Sequence, residues 1–310
     1  GWLMDENPLL SWIHKKVSRF QELPEDNQKF DIHIHVGIPN EFNRCAPYAV
    51  CVTAGIEATK VAPSWIKKSY DIDKIIVPSN FAKWVFENTF YDGEDSETKK
   101  QMRVGCGAPV EVVSYPVREH HNNSIDLDLK DEFNFLCVAQ WGIRKNLENT
   151  IKWFMEEFKD DEIGLVVKSN ISKNSTPDRE DCKVKLEESL QRYKDAKCSV
   201  YLLHGEMSDE EIDAIYKHPK IKAIVSATHG EGFGLPLFEA AYNALPVVAP
   251  GWSGHMDFLY GPVKDKKTKK VKNKPLFAKV DYSLKHVQRD AVWKDPCKRC
   301  DVVLSLGKRF

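Results

Sequence analysis

Short apolar runs alternate with amphipathic stretches through the second half of the chain. The runs have the length and composition of strands that are buried on both faces of a sheet. Between them, apolar residues recur at helical spacing, as at Leu147, Ile151, Phe154 and Phe158. Strands and helices that alternate in this way predict a parallel sheet. The predicted strands span 134–139, 163–167, 200–203, 221–227 and 246–250.

The first half of the chain has a similar but less regular pattern. Ser79 is placed to cap a helix that runs to about Phe90. The charged residues 92–103 predict solvated surface, and the polar residues 120–124 predict an interdomain connection. The predicted strands span 30–36, 48–53, 74–78 and 110–116. We divide the chain into an N-terminal domain (1–118), a linker (119–132), a C-terminal domain (133–285) and a tail (286–310).

Composition narrows the class of protein. The 310 residues suffice for two domains, and the net charge of −1 provides no overall field for nucleic acid or a membrane. The eight cysteines are scattered, and Cys51, Cys137 and Cys198 lie inside apolar runs, which favours a reducing compartment. No run of apolar residues is long enough to span a bilayer. We therefore expect a cytoplasmic protein.

A glycine-rich turn follows the apolar run at 221–227. Gly230, Gly232 and Gly234 alternate with larger residues, so the backbone there can take positive φ and a ligand can approach its N–H groups. Pro236 then marks the first turn of a helix. Unpaired N–H groups and the helix dipole make such a helix N-terminus an anion site. Two acids frame the turn eight positions apart, Glu231 and Glu239.

The whole pattern, E-G-F-G-L-P-x-x-E-A, resembles the E-x7-E signature of the retaining glycosyltransferases of group 1, which use nucleotide sugars. The resemblance implies the GT-B fold, an α/β fold in which two Rossmann-like domains face across a cleft. It also implies that Glu231 contacts the donor sugar, that Glu239 holds the ribose hydroxyls and that the backbone of Gly232, Phe233, Gly234 and Leu235 supports the diphosphate.

A basic pair, Arg144 and Lys145, lies between the first strand and the first helix of the predicted C-terminal domain. Two cations in this position can neutralise a departing diphosphate. The resemblance assigns the pair the same role, but it fails at Gln140, where many members of the family carry a cation. The alternative is a basic pair on a solvated turn.

Three residues of the first half are predicted to lie near the acceptor or the sugar. Thr53 and Glu57 follow a strand end, and loops after strand ends face the ligand in a Rossmann-like sheet. The segment around His33 and His35 resembles the family's strand-to-loop junction, where a histidine reaches a sugar, and His35 matches better. The alternatives are packed core histidines and a loop acid without a role.

The chain departs from the family at its start, because no strand with a glycine-rich loop precedes Asp31. We therefore expect a shortened, incomplete N-terminal domain.

No metal or cofactor is expected: His33 and His35 have no evident third ligand, and neither D-x-D sequence (71–73 or 126–128) follows a buried strand. Residues 264–274 carry seven lysines in a predicted loop, and such lysines are usually solvated surface. The alternative is peripheral contact with an anionic membrane surface or an acidic polymer acceptor, which this composition favours over contact with nucleic acid.

These observations predict a metal-independent, hexosyltransferase-like enzyme that moves a sugar from a nucleoside diphosphate sugar to a hydroxyl of a glycan, lipid or other acceptor with retention. The predicted catalytic residues are Glu231, His35, Arg144 and Lys145. The alternative is a catalytically silent protein of the same fold that binds sugar nucleotides or glycans.

Overall fold

A computed structural model describes residues 8–24, 27, 29–94, 99–117, 119, 124–287 and 303–306. Its helices are α1 (Pro8–Gln21), α2 (Pro63–Lys68), α3 (Asn80–Asn88), α4 (Leu147–Phe158), α5 (Thr176–Leu190), α6 (Asp209–Tyr216), α7 (Leu235–Tyr242) and α8 (Met256–Leu259). Its strands are β1 (Ile32–Val36), β2 (Tyr48–Val52), β3 (Lys74–Val77), β4 (Tyr91–Glu94), β5 (Gln101–Val104), β6 (Val110–Val112), β7 (Asn134–Val138), β8 (Gly164–Lys168), β9 (Ser199–Leu203), β10 (Ile221–Val225), β11 (Val247–Pro250), β12 (Tyr260–Lys264), β13 (Val271–Pro275), β14 (Ala278–Val280), β15 (Tyr282–Lys285) and β16 (Val303–Leu306).

The N-terminal sheet is parallel and has the strand order β1-β2-β3-β6. Phe42, Ile75 and Phe86 are fully buried in its core. The edge strand β1 turns His33 and His35 toward this core, whereas Ile32 and Val36 are 58% and 78% exposed. The alternation of residues along this strand places His33 and His35 on the same face, which faces the core.

The C-terminal sheet is also parallel, with the order β14-β11-β10-β7-β8-β9. Its strands bury side chains on both faces. On β8, for example, Val166 packs into one core cluster while Leu165 and Val167 pack into another. This double burial is the physical reason for the near-continuous apolar runs, and the predicted α/β class with parallel sheets is confirmed.

Two charged segments form hairpins. Residues 92–94 and 101–103 lie in the antiparallel pair β4–β5. Of the lysine-rich residues 264–274, Lys264 and residues 271–274 lie in the pair β12–β13, and residues 265–270 form the turn between the two strands. Polar side chains on both strand faces leave no apolar alternation, so these strands give no periodic signal. The charged helix α5 ends at Leu190. Most of the predicted tail lies outside the described residues.

Hydrogen bonds join the two sheets at the start of α3. The Ser79 hydroxyl accepts from the backbone N–H of Ala82, as a helix cap does, and donates to the carbonyl of Gly232 at 2.6 Å. The backbone N–H of Asn80 donates to a carboxylate oxygen of Asp257 at 2.7 Å. One predicted helix cap therefore also links the N-terminal sheet to the glycine turn.

None of the helices within the described ranges is both long and apolar enough to cross a bilayer.

Replacing Ser79 by alanine should lower the free energy of unfolding by about 2–3 kcal/mol, because the helix loses its cap and the Gly232 carbonyl loses a buried donor. Ser208→Ala is the matched control, since Ser208 caps α6 in an exposed capping box. It should cost about 1 kcal/mol. Urea denaturation measures both values. Equal losses in the two variants would contradict a role for Ser79 between the sheets.

Candidate active site

The two loops that carry the predicted donor-binding residues meet at one point of the C-terminal sheet. Numbered along the chain, the six strands of this sheet are arranged 3-2-1-4-5-6, so the order reverses between β7 and β10. The loop after β7 carries Arg144 and Lys145, and the loop after β10 carries Glu231. Ligands of open parallel sheets bind beyond the carboxyl ends of the strands at such a reversal. The topology therefore places these three side chains where a binding crevice is expected.

Hydrogen bonds hold these two loops together. The backbone N–H of His229 donates to the carbonyl of Arg144 at 2.8 Å. The side-chain amide of Asn146 donates to the carbonyl of Ala227 at 3.0 Å. Asn146 has a φ of 55°, a left-handed conformation that asparagine tolerates better than most residues, and it begins α4. The basic pair is thus fixed against the glycine turn.

Glu231 is the centre of a charged network. Its carboxylate accepts a hydrogen bond from Lys145 Nζ at 2.6 Å and lies 3.4 Å from Arg144 Nη1. Arg144 Nη1 also donates to the carbonyl of Gly230 at 3.1 Å. Burial raises the pKa of Glu231, but the charges of Lys145 and Arg144 outweigh it and leave the pKa below its ordinary value. Glu231 is therefore ionised at neutral pH, and its charge is shared between two cations.

Glu57 extends this network to the N-terminal sheet. One of its carboxylate oxygens lies 3.5 Å from Arg144 Nη2. Burial raises the pKa of Glu57 above its ordinary value, and the nearby guanidinium of Arg144 opposes the rise. Arg144 thus stands between an acid from each half of the chain, a juxtaposition that no sequence spacing indicates.

The glycine turn lies directly against the loop that carries Glu57. A Cβ at Gly230 would lie 2.1 Å from the carbonyl oxygen of Glu57, and one at Gly232 would lie 2.2 Å from that of Ala54. Of the three glycines in the turn, Gly234 has a positive φ, 93°. Gly230 and Gly232 are therefore required by the close approach of another backbone segment, whereas Gly234 is required by its conformation.

Glu239 lies in a separate place, a cavity of about 310 Å³. The Tyr216 hydroxyl donates to its carboxylate at 2.9 Å. Burial and the charge of Glu239 raise the pKa of Tyr216 well above its ordinary value, so this hydroxyl stays protonated. Leu235 and Glu239 line the cavity from one face of α7, and Tyr115 lines it from the first half of the chain. Glu231, Arg144 and Lys145 are not among the described residues that line it.

His35 and Thr53 occupy different surroundings. Nε2 of His35 lies 3.3 Å from the carbonyl of Ile38, and its ring packs edge-on against Phe42 within the N-terminal sheet. Thr53 is 3% exposed at the end of β2, and within the described residues its hydroxyl has no hydrogen-bond partner. Thr53 precedes the loop that touches the glycine turn, whereas His35 lies on the edge strand.

Two further buried polar atoms near the glycine turn lack a partner among the described residues: Nδ1 of His229 and Nε1 of Trp252. Buried polar groups are nearly always hydrogen-bonded, so such atoms mark places where a ligand or water binds. Ser253 and His255 are fully paired by contrast. Ser253 Oγ accepts from the backbone N–H of Glu231, and His255, kept neutral because burial lowers its pKa, contacts the carbonyl of Pro250. The turn at 251–255 thus packs against the glycine turn and holds Glu231 in place through Ser253.

Comparison with known proteins matches the part of the chain that carries the charged network. Residues 121–259 match the family model of the glycosyl transferases group 1. This part of the chain is therefore similar to that family. The matched residues include Arg144, Lys145, Glu231 and Glu239. Comparison with curated protein sequences gives no match.

Solved structures share the fold over most of the chain. A structure named for trehalose-6-phosphate from E. coli, bound with UDP-2-fluoro glucose, is 13% identical with a TM-score of 0.51 and covers 81% of this chain. Sucrose-phosphate synthase from Thermosynechococcus elongatus is 14% identical with a TM-score of 0.51 and covers 83%. The chain spans 65% of the length of each of these proteins. The predicted GT-B class, with two Rossmann-like domains, is confirmed.

One cluster beside the C-terminal sheet has side chains of the metal-ligating kind. Ligand atoms of Asp178, Cys182 and His204 all lie within 4.8 Å of one another. The Asp178 carboxylate, however, already accepts from three backbone N–H groups of 171–173 and contacts Nε2 of His204 at 2.8 Å. Its oxygens thus tie the start of α5 to the loop after β8 and to the end of β9, which is a structural role.

Replacing Gly232 by alanine should lower the free energy of unfolding by about 1–3 kcal/mol, because the new methyl group would overlap the Ala54 carbonyl, a backbone atom that cannot turn away. Gly142→Ala is the matched control, since no atom lies within 4 Å of a Cβ at that position. Chemical denaturation of both variants checks this. A loss in Gly232→Ala no larger than in the control would argue against the close approach.

The Asp178 network should make the protein sensitive to acid. Burial raises the pKa of Asp178, but hydrogen bonds from His204 and from backbone N–H groups lower it from 3.8 to about 2. Because the pKa is lower in the folded state, the stabilisation is complete above pH 3.8 and is lost as the pH falls toward about 2.

Asp178→Asn removes this titration. The difference in urea midpoint between wild type and Asp178→Asn should therefore be constant above pH 5 and should shrink between about pH 4 and about pH 2. Asp160→Asn, at an exposed acid, is the control. A difference that stays constant throughout this range would refute the account.

Proposed function

We propose that the chain transfers a glycosyl group from a nucleoside diphosphate sugar to an acceptor hydroxyl with retention at the anomeric carbon. The observation that carries the proposal is the meeting of Arg144, Lys145 and Glu231 at the strand-order reversal of the C-terminal sheet, beside the N-terminus of α7. Two fixed cations beside a helix N-terminus form a site for a diphosphate.

The basic pair would bind the diphosphate and stabilise it as it leaves. Glu231 accepts from Lys145 and faces Arg144, so each cation is paired and held in place. A diphosphate that enters would replace the carboxylate as their partner and release Glu231 toward the sugar. Preorganised cations that face a developing negative charge are usually the largest electrostatic contribution to such a reaction. They also supply the positive charge that a metal would provide, so the proposed transfer is metal-independent.

The cavity at Glu239 would hold the nucleoside. Its volume of about 310 Å³ is at the lower end of small-molecule sites. An ionised carboxylate accepts hydrogen bonds and donates none, which suits the paired hydroxyls of a ribose. Leu235 and Phe238 supply apolar wall, and Tyr115 closes the cavity from the first half of the chain. The N–H groups from Gly232 to Leu235 would complete the contact with the diphosphate.

The acceptor would enter from the N-terminal side of the site. Glu57 belongs to the N-terminal half and joins the charged network by its contact with Arg144. Its raised pKa suits a group that exchanges a proton with a hydroxyl. Thr53 and His35 complete the proposed acceptor side. Same-face attack by the hydroxyl, assisted by the leaving phosphate, accounts for retention.

We place the protein in the cytoplasm, a reducing compartment, because the six described cysteines are free thiols.

A second candidate is a protein of this fold that binds sugar nucleotides without turnover. One observation favours it: Gly230 and Gly232 are buried against the loop at residues 54–57, so the other half of the chain covers the turn that should face the donor. Calorimetry with a panel of nucleoside diphosphate sugars, combined with an assay of donor hydrolysis and transfer, separates the two functions. Binding with turnover supports the enzyme, and binding without turnover supports the second candidate.

Glu239→Gln should weaken nucleotide binding about tenfold, because one acceptor for the ribose hydroxyls becomes a neutral amide. Glu231→Gln should mainly slow transfer, because it leaves the nucleoside cavity intact. Glu157→Gln, at an exposed acid on α4, is the control. Calorimetry with UDP and GDP gives the affinities, and the transfer assay gives the rates. If Glu239→Gln binds both nucleotides as tightly as Glu157→Gln does, the assignment of the ribose site is wrong.

A further inference from the structure

The lysine-rich segment forms an ordered projection with the shape of a β-ribbon. β12 and β13 pair at five positions, from Tyr260 with Pro275 to Lys264 with Val271. The turn between them is closed by the carboxylate of Asp265, which accepts from the backbone N–H groups of Lys267 and Thr268. We call residues 264–274 the basic hairpin. The backbone that carries its lysines is therefore ordered.

The basic hairpin carries a high local positive charge. Its seven lysines and one aspartate give it a charge of +6, and since the whole chain carries −1, the remaining residues carry −7. All seven lysines are exposed. The salt bridges among the described residues include none of these lysines. The hairpin is thus strongly basic, whereas the rest of the chain carries a net negative charge.

The four lysines at the tip are Lys266, Lys267, Lys269 and Lys270. The strand register places Lys272 and Lys274 on one face of the ribbon and Lys264 on the other. Val271, beside the tip, is 62% exposed. Positive charge therefore surrounds the end of the ribbon, and a flat anionic layer could contact several lysines at once.

The composition of the basic hairpin favours a lipid surface over nucleic acid. It contains no arginine and no aromatic residue, so it lacks the usual groups for bidentate contacts with phosphates or bases and for stacking on bases. Lysine acts as a point charge on a flexible stem, and mobile anionic headgroups can adjust to it. Each lysine near such a surface contributes to binding, and the attraction declines within a Debye length.

We propose that the basic hairpin binds the surface of a bilayer that contains anionic phospholipid, with the tip lysines in the headgroup layer. The rest of the chain carries a net negative charge, so the hairpin is the part of the protein that this surface attracts. The interaction is electrostatic and peripheral. It does not depend on the proposed transfer reaction, because none of the hairpin residues belongs to the candidate active site.

Co-sedimentation of the full chain with vesicles tests the proposal. The protein should bind vesicles of phosphatidylcholine that contain about 30% phosphatidylglycerol, and it should not bind vesicles of phosphatidylcholine alone. Raising the salt from about 0.1 M to about 0.5 M should release it, because the Debye length becomes shorter. Replacing the four tip lysines by serine should lower the vesicle partition coefficient by more than about 50-fold, since each lysine near the surface contributes roughly fivefold.

The control variant carries the same change in charge elsewhere, with serine at four exposed lysines, Lys67, Lys130, Lys173 and Lys194. It should keep at least most of the binding. Circular dichroism and thermal melting show whether each variant folds. Equal loss in the two variants, or equal binding to both kinds of vesicle, would overturn the proposal. Binding to duplex or single-stranded DNA that depends on the tip lysines, without vesicle binding, would assign the hairpin to nucleic acid instead.

Discussion

Two backbone segments from different sheets lie closer together at the candidate active site than side chains would allow. The turn at residues 230–232 rests on the carbonyls of Ala54 and Glu57, and a Cβ at either glycine would overlap them. Ser79 adds a buried hydrogen bond to the Gly232 carbonyl. Because this contact sets the position of the loop at 54–57, it also sets which acid of the N-terminal half reaches Arg144. The close contact between these two backbone segments is therefore the reason that both halves of the chain supply residues to the site.

The charges of the site are balanced within a small volume. Arg144 and Lys145 face Glu231 and Glu57, so two cations meet two acids in partly buried surroundings. An unpaired charge in such surroundings would be costly, which explains why the carboxylate of Glu231 pairs with both cations. Within the proposed function, an anionic ligand takes over the role of that carboxylate, and the same two cations serve both states.

The two acids of the E-x7-E pattern have different environments although eight positions separate them. Glu231 lies in the turn and points into the charged network, whereas Glu239 lies on α7 and lines a cavity with Tyr216 and Tyr115. The helix begins between them at Gly234, whose left-handed conformation redirects the chain. One short sequence pattern thus supplies side chains to two neighbouring compartments, consistent with a ligand that has a nucleoside part and a sugar part.

The sequence by itself determined the features that depend on neighbouring residues. Helical and strand periods predicted the alternation of β7 to β11 with α4 to α7, and the caps at Ser79 and Ser208 were recognisable because a cap bonds its own first turn. Only the tertiary structure decided which distant groups meet. The contact of Gly232 with Ala54, the approach of Glu57 to Arg144 and the pairing of the polar strands β12 and β13 leave no periodic trace in the chain. These contacts depend on how two sheets pack and how strands pair, which local propensity does not specify.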